Sequence, residues 1–169
     1  MNEIFEIVNE ENQIIGTAFR HECHGNPSLI HRTAHVVVFN QKGEILLQKR
    51  SKNKDIQPGK WDTAVGGHLD SGEDYETAAK RELAEELGIN DDKIKLNFLF
   101  DSKIRNEIES ENVRVFSIIH DGPFKFAEDE IDEIKFWNAN QLDTAMETGI
   151  FTPNLEIELK KLRDLDFIK

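Results

Sequence analysis

Cysteine is nearly missing from this chain of 169 residues, where Cys23 stands alone. No intrachain disulfide can form and no cysteine zinc cluster can assemble, so a reducing, intracellular setting is expected. Long apolar runs are missing as well, and nothing approaches the eighteen or so residues a membrane-spanning helix needs. The first residues do not run from basic to apolar as a secretory signal does, so a cytoplasmic protein without a membrane partner is expected. Positive charge is scarce: 21 Lys and Arg stand against 33 Asp and Glu, a formal net charge of -12. That balance argues against binding a nucleic-acid backbone. A polyanionic small molecule would have to be met by a bound divalent cation or by a local basic patch. Lys49, Arg50, Lys52, Lys54 and Lys60 offer such a patch, although the same cluster alone reads equally as a solvated loop.

The length fits one domain, residues 1–169, with residues 1–32 an N-terminal hairpin and loop packed on it. Residues 3–9 and 13–19 alternate apolar and polar around Glu10, Glu11 and Asn12, the pattern of a hairpin. Residues 20–32 hold three histidines, a glycine and a proline without a clean period and read as a loop. Residues 36–39 and 45–47 are aliphatic runs on either side of Asn40, Gln41, Lys42 and Gly43, which predicts two adjacent strands joined by a turn. Pro58 and Gly59 break structure, residues 61–65 resume an extended pattern that ends at Gly66 and Gly67, and Asp70, Ser71 and Gly72 form another turn.

Residues 74–87 are helix formers with Tyr75, Ala79, Leu83 and Leu87 on one face, and Gly88 supplies the stop. Further strands are expected at 94–100, 113–119 and 134–137, and further helices at 140–147 and 153–164. Strands interleaved with a few helices predict a mixed α/β (α+β) layered domain without internal repeats.

On the predicted helix, Glu82, Glu85 and Glu86 are three and four residues apart and project to one side. Like charges so spaced repel by a few tenths of a kcal/mol per pair, roughly, and a hard cation reverses the sign. Magnesium or manganese suits such an all-oxygen set. By themselves the three glutamates read as readily as the exposed acidic face of an acidic protein. Their surroundings are more specific. Gly67, Glu73, Arg81, Glu82, Leu83, Glu85, Glu86, Gly88 and Ile89 fill every fixed position of GX5EX7REUXEEXGU, with U aliphatic. The segment therefore resembles the Nudix box.

That resemblance implies the Nudix fold, a mixed sheet sandwiched between helices. It implies Glu82 and Glu86 as principal metal ligands and Glu85 as a further ligand or the group that activates water. Arg81 becomes a structural partner of Glu85, and Glu73 either fixes the loop or joins the metal shell. The reaction implied is metal-dependent hydrolysis of a small diphosphate, such as a nucleoside diphosphate derivative, by attack of water at phosphorus. Which carboxylate acts as base stays open between Glu85 and a glutamate outside the box.

Residues 13–140 also resemble isopentenyl-diphosphate isomerase, itself a Nudix-fold enzyme. His24 and His31 precede the first core strand, His68 follows the glycines, and Glu109 and Glu111 precede a later strand. The resemblance implies that these five form a second metal site suited to manganese or zinc. Arg50, Lys54, Pro58, Gly59 and Trp61 resemble the isomerase segment that holds the substrate diphosphate, and Trp137 matches an active-site tryptophan. Lys49, Arg50, Lys54, Trp61 and Trp137 are thus the substrate-binding candidates. His21, His35 and His120 match nothing and read as structural.

One departure bears on the chemistry. Where the isomerases carry an essential cysteine just before Gly-His, this chain reads Val65, Gly66, Gly67, His68. Nothing in the sequence places Cys23 over a substrate. The missing thiol and the intact box favour hydrolysis over an isomerase using a replacement group, or over a non-catalytic Nudix module that binds a ligand. Specificity is expected in the loops 20–32 and 101–112. The oligomeric state is left open, a homodimer included.

Overall fold

The computed structural model describes residues 3–169. Its first element is the expected hairpin, β1 (Ile4–Val8) against β2 (Ile14–Phe19), antiparallel and turning through Asn12 at φ 64°. Residues 20–32 are not a plain loop. A short helix α1 (Arg20–Cys23) follows β2 directly, and His31 and Arg32 already belong to the nine-residue strand β3 (His31–Phe39). The polar start of β3 hid it from a reading based on aliphatic runs.

β4 (Ile45–Arg50) turns back from β3 as the Asn40 to Gly43 segment predicts, with Gly43 at φ 78°. The two strands pair only at Phe39 and Ile45 and then part. β3 goes on to pair with β6 (Val65–His68) on one side and, in parallel, with β8 (Ser110–Ile119) on the other. β4 pairs instead with β5 (Trp61–Thr63) and β9 (Ile131–Trp137). The expected strand at 61–65 is therefore two strands broken at Ala64, and the second runs through both glycines to His68. β7 (Asn97–Arg105) completes a seven-stranded mixed sheet; it begins three residues later than predicted and runs on into the expected 101–112 loop.

Two apolar layers hold the sheet. On one face Ala34, Val36, Val38, Leu46, Phe116 and Ile118 pack against the helix α2 (Tyr75–Leu87) through Tyr75, Ala79, Leu83 and Leu87. On the other, Val37, Leu47, Val115, Trp61 and Trp137 pack against α3 (Ala139–Ala145) and α4 (Pro153–Asp164). The result is the expected mixed sheet between helices. Among the described residues no helix is long and apolar enough to cross a membrane.

α2 carries the box, and its ends are well defined. Asp74 caps the first turn by accepting from Thr77 N at 2.8 Å, and Gly88 closes the last at φ 69°. Leu83 is 1% exposed, between the two strong ends. Leu83→Ala should lower unfolding free energy by about 2–5 kcal/mol, read as a shift of the denaturation midpoint without a change of slope.

Candidate active site and metal centre

Arg81 is the hub of the carboxylate cluster. Its guanidinium donates to both oxygens of Glu73 (2.9 and 2.8 Å), to Glu82 Oε1 (2.7 Å), to Glu85 Oε2 (3.3 Å) and to the His68 carbonyl (3.0 Å). Glu73 also accepts from Asp70 N at 2.7 Å, so both its oxygens are committed to fixing the loop. Of the two roles expected for it, fixing the loop is the one these contacts support. Glu85 remains largely exposed at the cavity mouth, with 58% of its side chain accessible.

Glu82 and Glu86 are a different matter, because Glu86 is buried and Glu82 beside it is only 13% accessible. Glu86 Oε2 accepts from Gly66 N at 3.1 Å. A Cβ on Gly67 would lie 2.2 Å from the Glu82 carboxyl carbon, so the box glycine is what gives that carboxylate its place. Burial pushes the Glu82 pKa up to about 7; Arg81 opposes the rise, while Glu85 and Glu130 add to it. Burial and the neighbouring Glu82 push Glu86 well above the ordinary carboxylate range. Paired buried carboxylates of this kind fit a hard divalent cation, which removes the repulsion that raises them.

A second cluster lies at the other end of β6. His24, His31 and His68 bring ring nitrogens within 4.8 Å of one another. The Nε2 atoms of all three are buried without a hydrogen-bond partner. Glu111 Oε2 is 3.3 Å from both His31 Nε2 and His68 Nε2, and Thr33 Oγ1 donates to Glu111 Oε1 at 3.4 Å. Burial works against the Glu111 charge, yet the two imidazoles hold its carboxyl below the usual range. Orphaned nitrogens converging on one carboxylate fit a transition metal or zinc. Glu109 stands apart, its Oε2 taken by Asn154 Nδ2 at 3.2 Å and its pKa raised by burial and by Glu111.

Both clusters open on one cavity of about 520 Å³. Arg50 and Lys54 line it, Arg50 donating to Asp62 at 3.3 Å and to the Ile56 carbonyl at 3.0 Å. Three expected substrate residues are elsewhere. Alternation along β4 turns Gln48 and Arg50 to the cavity and Lys49 to the opposite face. Trp61 and Trp137 share that opposite face, edge to face at 5.2 Å in the core beneath α4, with Lys135 over the Trp137 ring. They support the strands and do not line the cavity.

Residues that carried no sequence signal line it instead: His35, Gln48, Asp62, Glu130 and Asn154. Cys23 is fully buried with Phe5 and Ile7, and burial raises its thiol pKa. Phe5 also stacks on His31 and His68, at 5.3 and 4.6 Å, so the N-terminal hairpin roofs the histidine cluster.

The raised carboxyls set the acid–base behaviour of the metal-free protein. Because the folded Glu82 binds its proton up to about pH 7 and the unfolded one only to about 4.3, its contribution is full below the lower value and is lost as pH rises through 7. Glu86 acts in the same direction. With chelator present, Glu86→Gln should therefore melt higher than the parent at pH 8, by about 2–4 °C for each kcal/mol of repulsion removed. The difference should close toward pH 5.

Residues 29–155 match the NUDIX domain family. An uncharacterised Nudix hydrolase of Yersinia pestis is 38% identical over 136 residues, covering 78% of this chain and 71% of that protein. The uncharacterised Nudix hydrolase YfcD of Escherichia coli K12 is 34% identical over 156 residues, 90% of this chain and 82% of its own. The crystal structure of DR0079 from Deinococcus radiodurans superposes with a TM-score of 0.80 at 24% identity, over 94% of this chain and 98% of that one. A MutT protein from Methanosarcina mazei Go1 gives 0.66 at 22%, over 81% and 93%. At those identities the structural likeness is one of fold, and it agrees with the sandwich described above. With the box glycine, the Arg81 hub and the buried glutamates in place, the chain belongs to the Nudix family and is a Nudix-type hydrolase.

Proposed function

We propose that this hydrolase is divalent-metal-dependent and cleaves an organic diphosphate, such as a nucleoside diphosphate derivative, by attack of water at phosphorus. The observation that carries the reading is the buried pair Glu82 and Glu86, sharing a cavity with Arg50 and Lys54. Magnesium or manganese held by Glu82 and Glu86 supplies charge neutralisation and activation of water. Arg50 and Lys54 meet the diphosphate from the opposite strand and its loop. Arg81 holds Glu82 and Glu85 in place without spending its own charge on the substrate. Glu85 and Glu130 are the carboxylates we favour as base: Glu85 lies at the mouth, and Glu130 lines the cavity close enough to raise both Glu82 and Glu86.

His24, His31, His68 and Glu111 are proposed to hold a second divalent ion, manganese or zinc, without Glu109, which is held by Asn154. This cluster is also what supports the isomerase-like reading. Against it, Gly66 offers no thiol and Cys23 is sealed in the hairpin core.

A panel of nucleoside diphosphate derivatives and other organic diphosphates, assayed with magnesium or manganese in ¹⁸O-water, should give a phosphorylated product carrying the label. Glu86→Gln and Glu82→Gln should lower the rate on the order of 100-fold or more while the protein stays folded. An unlabelled product, or full activity without metal, would sink the proposal. Solvent deuterium entering isopentenyl diphosphate would favour the isomerase. For the second ion, His31→Gln or His68→Gln should remove one equivalent of tightly bound manganese or zinc, measured by elemental analysis.

A further inference from the structure

We propose that His35 contacts the substrate: its Nε2–H donates to a phosphoryl oxygen of the bound diphosphate, and Glu158 positions the ring from behind. The inference rests on the diphosphate reading above and adds a wall of the site that neither motif includes.

The geometry begins with β3, where His35 faces the main cavity two residues beyond Thr33. Its Nδ1 is 2.7 Å from Glu158 Oε2, on α4 and 123 residues further along the chain. Both side chains are largely buried, at 13% and 9% exposed. Behind the pair lies a separate cavity of about 360 Å³, which His35 and Glu158 also line, so the pair forms a partition. The Nε2 edge has no hydrogen-bond partner among the described residues, and it is accessible, whereas the Nε2 atoms of the three clustered histidines are enclosed.

Gly66 explains why that edge is free. It pairs with His35 across β3 and β6, and a Cβ there would sit 3.1 Å from the ring Cδ2 and 3.3 Å from Nε2. Any side chain at 66 would press on the imidazole and cover its N–H. The position at which the isomerase resemblance fails is therefore the position that uncovers His35. On its other side the Gly66 N–H binds Glu86, which places the imidazole beside the strand that anchors a box carboxylate.

Charge supports the same role. Burial works against an imidazolium, but the Glu158 carboxylate, by its field and its hydrogen bond, outweighs that penalty; Glu111 and Asp62 add to it, and the pKa is held up at about 9. At neutral pH the ring thus presents a cationic N–H. The other cavity cations are committed within it: Arg81 to Glu73, Glu82 and Glu85, Arg50 to Asp62, Arg20 to Glu3, and Lys54 to Glu130 at 3.8 Å. His35 is paired from outside the cavity, so its donor toward the substrate costs no existing contact. Charge-assisted hydrogen bonds to phosphate are among the stronger polar contacts available.

The test uses magnesium and methylenediphosphonate, a diphosphate analogue that cannot be hydrolysed, as the calorimetric probe. His35→Gln should weaken its binding about 10-fold or more, the loss expected for one hydrogen bond to a charged group. Glu158→Gln keeps an acceptor for Nδ1 but removes the charge, and should weaken binding to a similar degree. In the unsubstituted protein, saturation with the probe should shift the His35 ring ¹⁵Nε2 resonance, a readout that needs no variant to fold. Affinity within twofold of the parent in a folded His35→Gln, or an unmoved resonance at saturation, overturns the inference and leaves the hydrolase reading standing. A Glu158→Gln that melts lower yet binds normally reduces the pair to a brace between β3 and α4 and overturns it too. No metal-dependent binding of the probe by the unsubstituted protein overturns both.

Discussion

The grip of Arg81 on three carboxylates and one backbone carbonyl is the constraint on which the rest of the site hangs. Through Glu73 it fixes the turn before α2, through Glu82 and Glu85 it orders the helix face, and through the His68 carbonyl it ties that face to the end of β6. His68 in turn belongs to the histidine cluster. One guanidinium thus ties together two clusters, the carboxylates of α2 and the histidines, that share no residue. Lysine at this position would supply a similar charge but not a planar fork able to serve four partners.

Around that grip the chain solves an electrostatic problem of its own making. A protein of formal charge -12 has gathered further acids into a cavity meant, on our reading, for an anion. Two of those acids, Glu86 buried and Glu82 largely so, have raised pKa values, a repulsion that a bound cation would relieve. The parting of β3 from β4 makes the arrangement geometrically feasible. Pairing only at Phe39 and Ile45 lets the strands diverge, so carboxylates from α2 and basic groups from the β4 side meet across the opening.

What was legible in the sequence was what is contiguous. The box lies in one strand, turn and helix, and its spacing alone predicts that Glu82, Glu86 and Arg81 share one side of α2, the side that lines the cavity. The hairpins and α2 were readable because turn residues and a four-residue apolar period are local signals. The start of β8 was not: Ser110, Glu111 and Asn112 look like loop, yet they are buried strand residues whose partners come from β3, Arg105 and the N-terminal turn. Trp61 and Trp137 were misplaced for a related reason. Motif position names a residue, but strand alternation decides which face it joins, and theirs is the face beneath α4. His35 was invisible because its partner is 123 residues away, a distance no spacing rule spans.

The hairpin of β1 and β2 leads to one more consequence. The segment matching the family begins at residue 29, whereas Phe5, which stacks on two of the clustered histidines, lies before it. The matched segment carries the carboxylates and the basic loop, and the ceiling over the imidazoles comes from outside it. The hairpin is nonetheless tied to the sheet, with Val8 bridging Ile30, Arg32 paired with Glu6 at 2.8 Å and Asn112 Nδ2 donating to Asn12 Oδ1 at 3.1 Å. How dry the imidazoles are kept is thus set by Phe5, a side chain that lies outside the segment bearing the box.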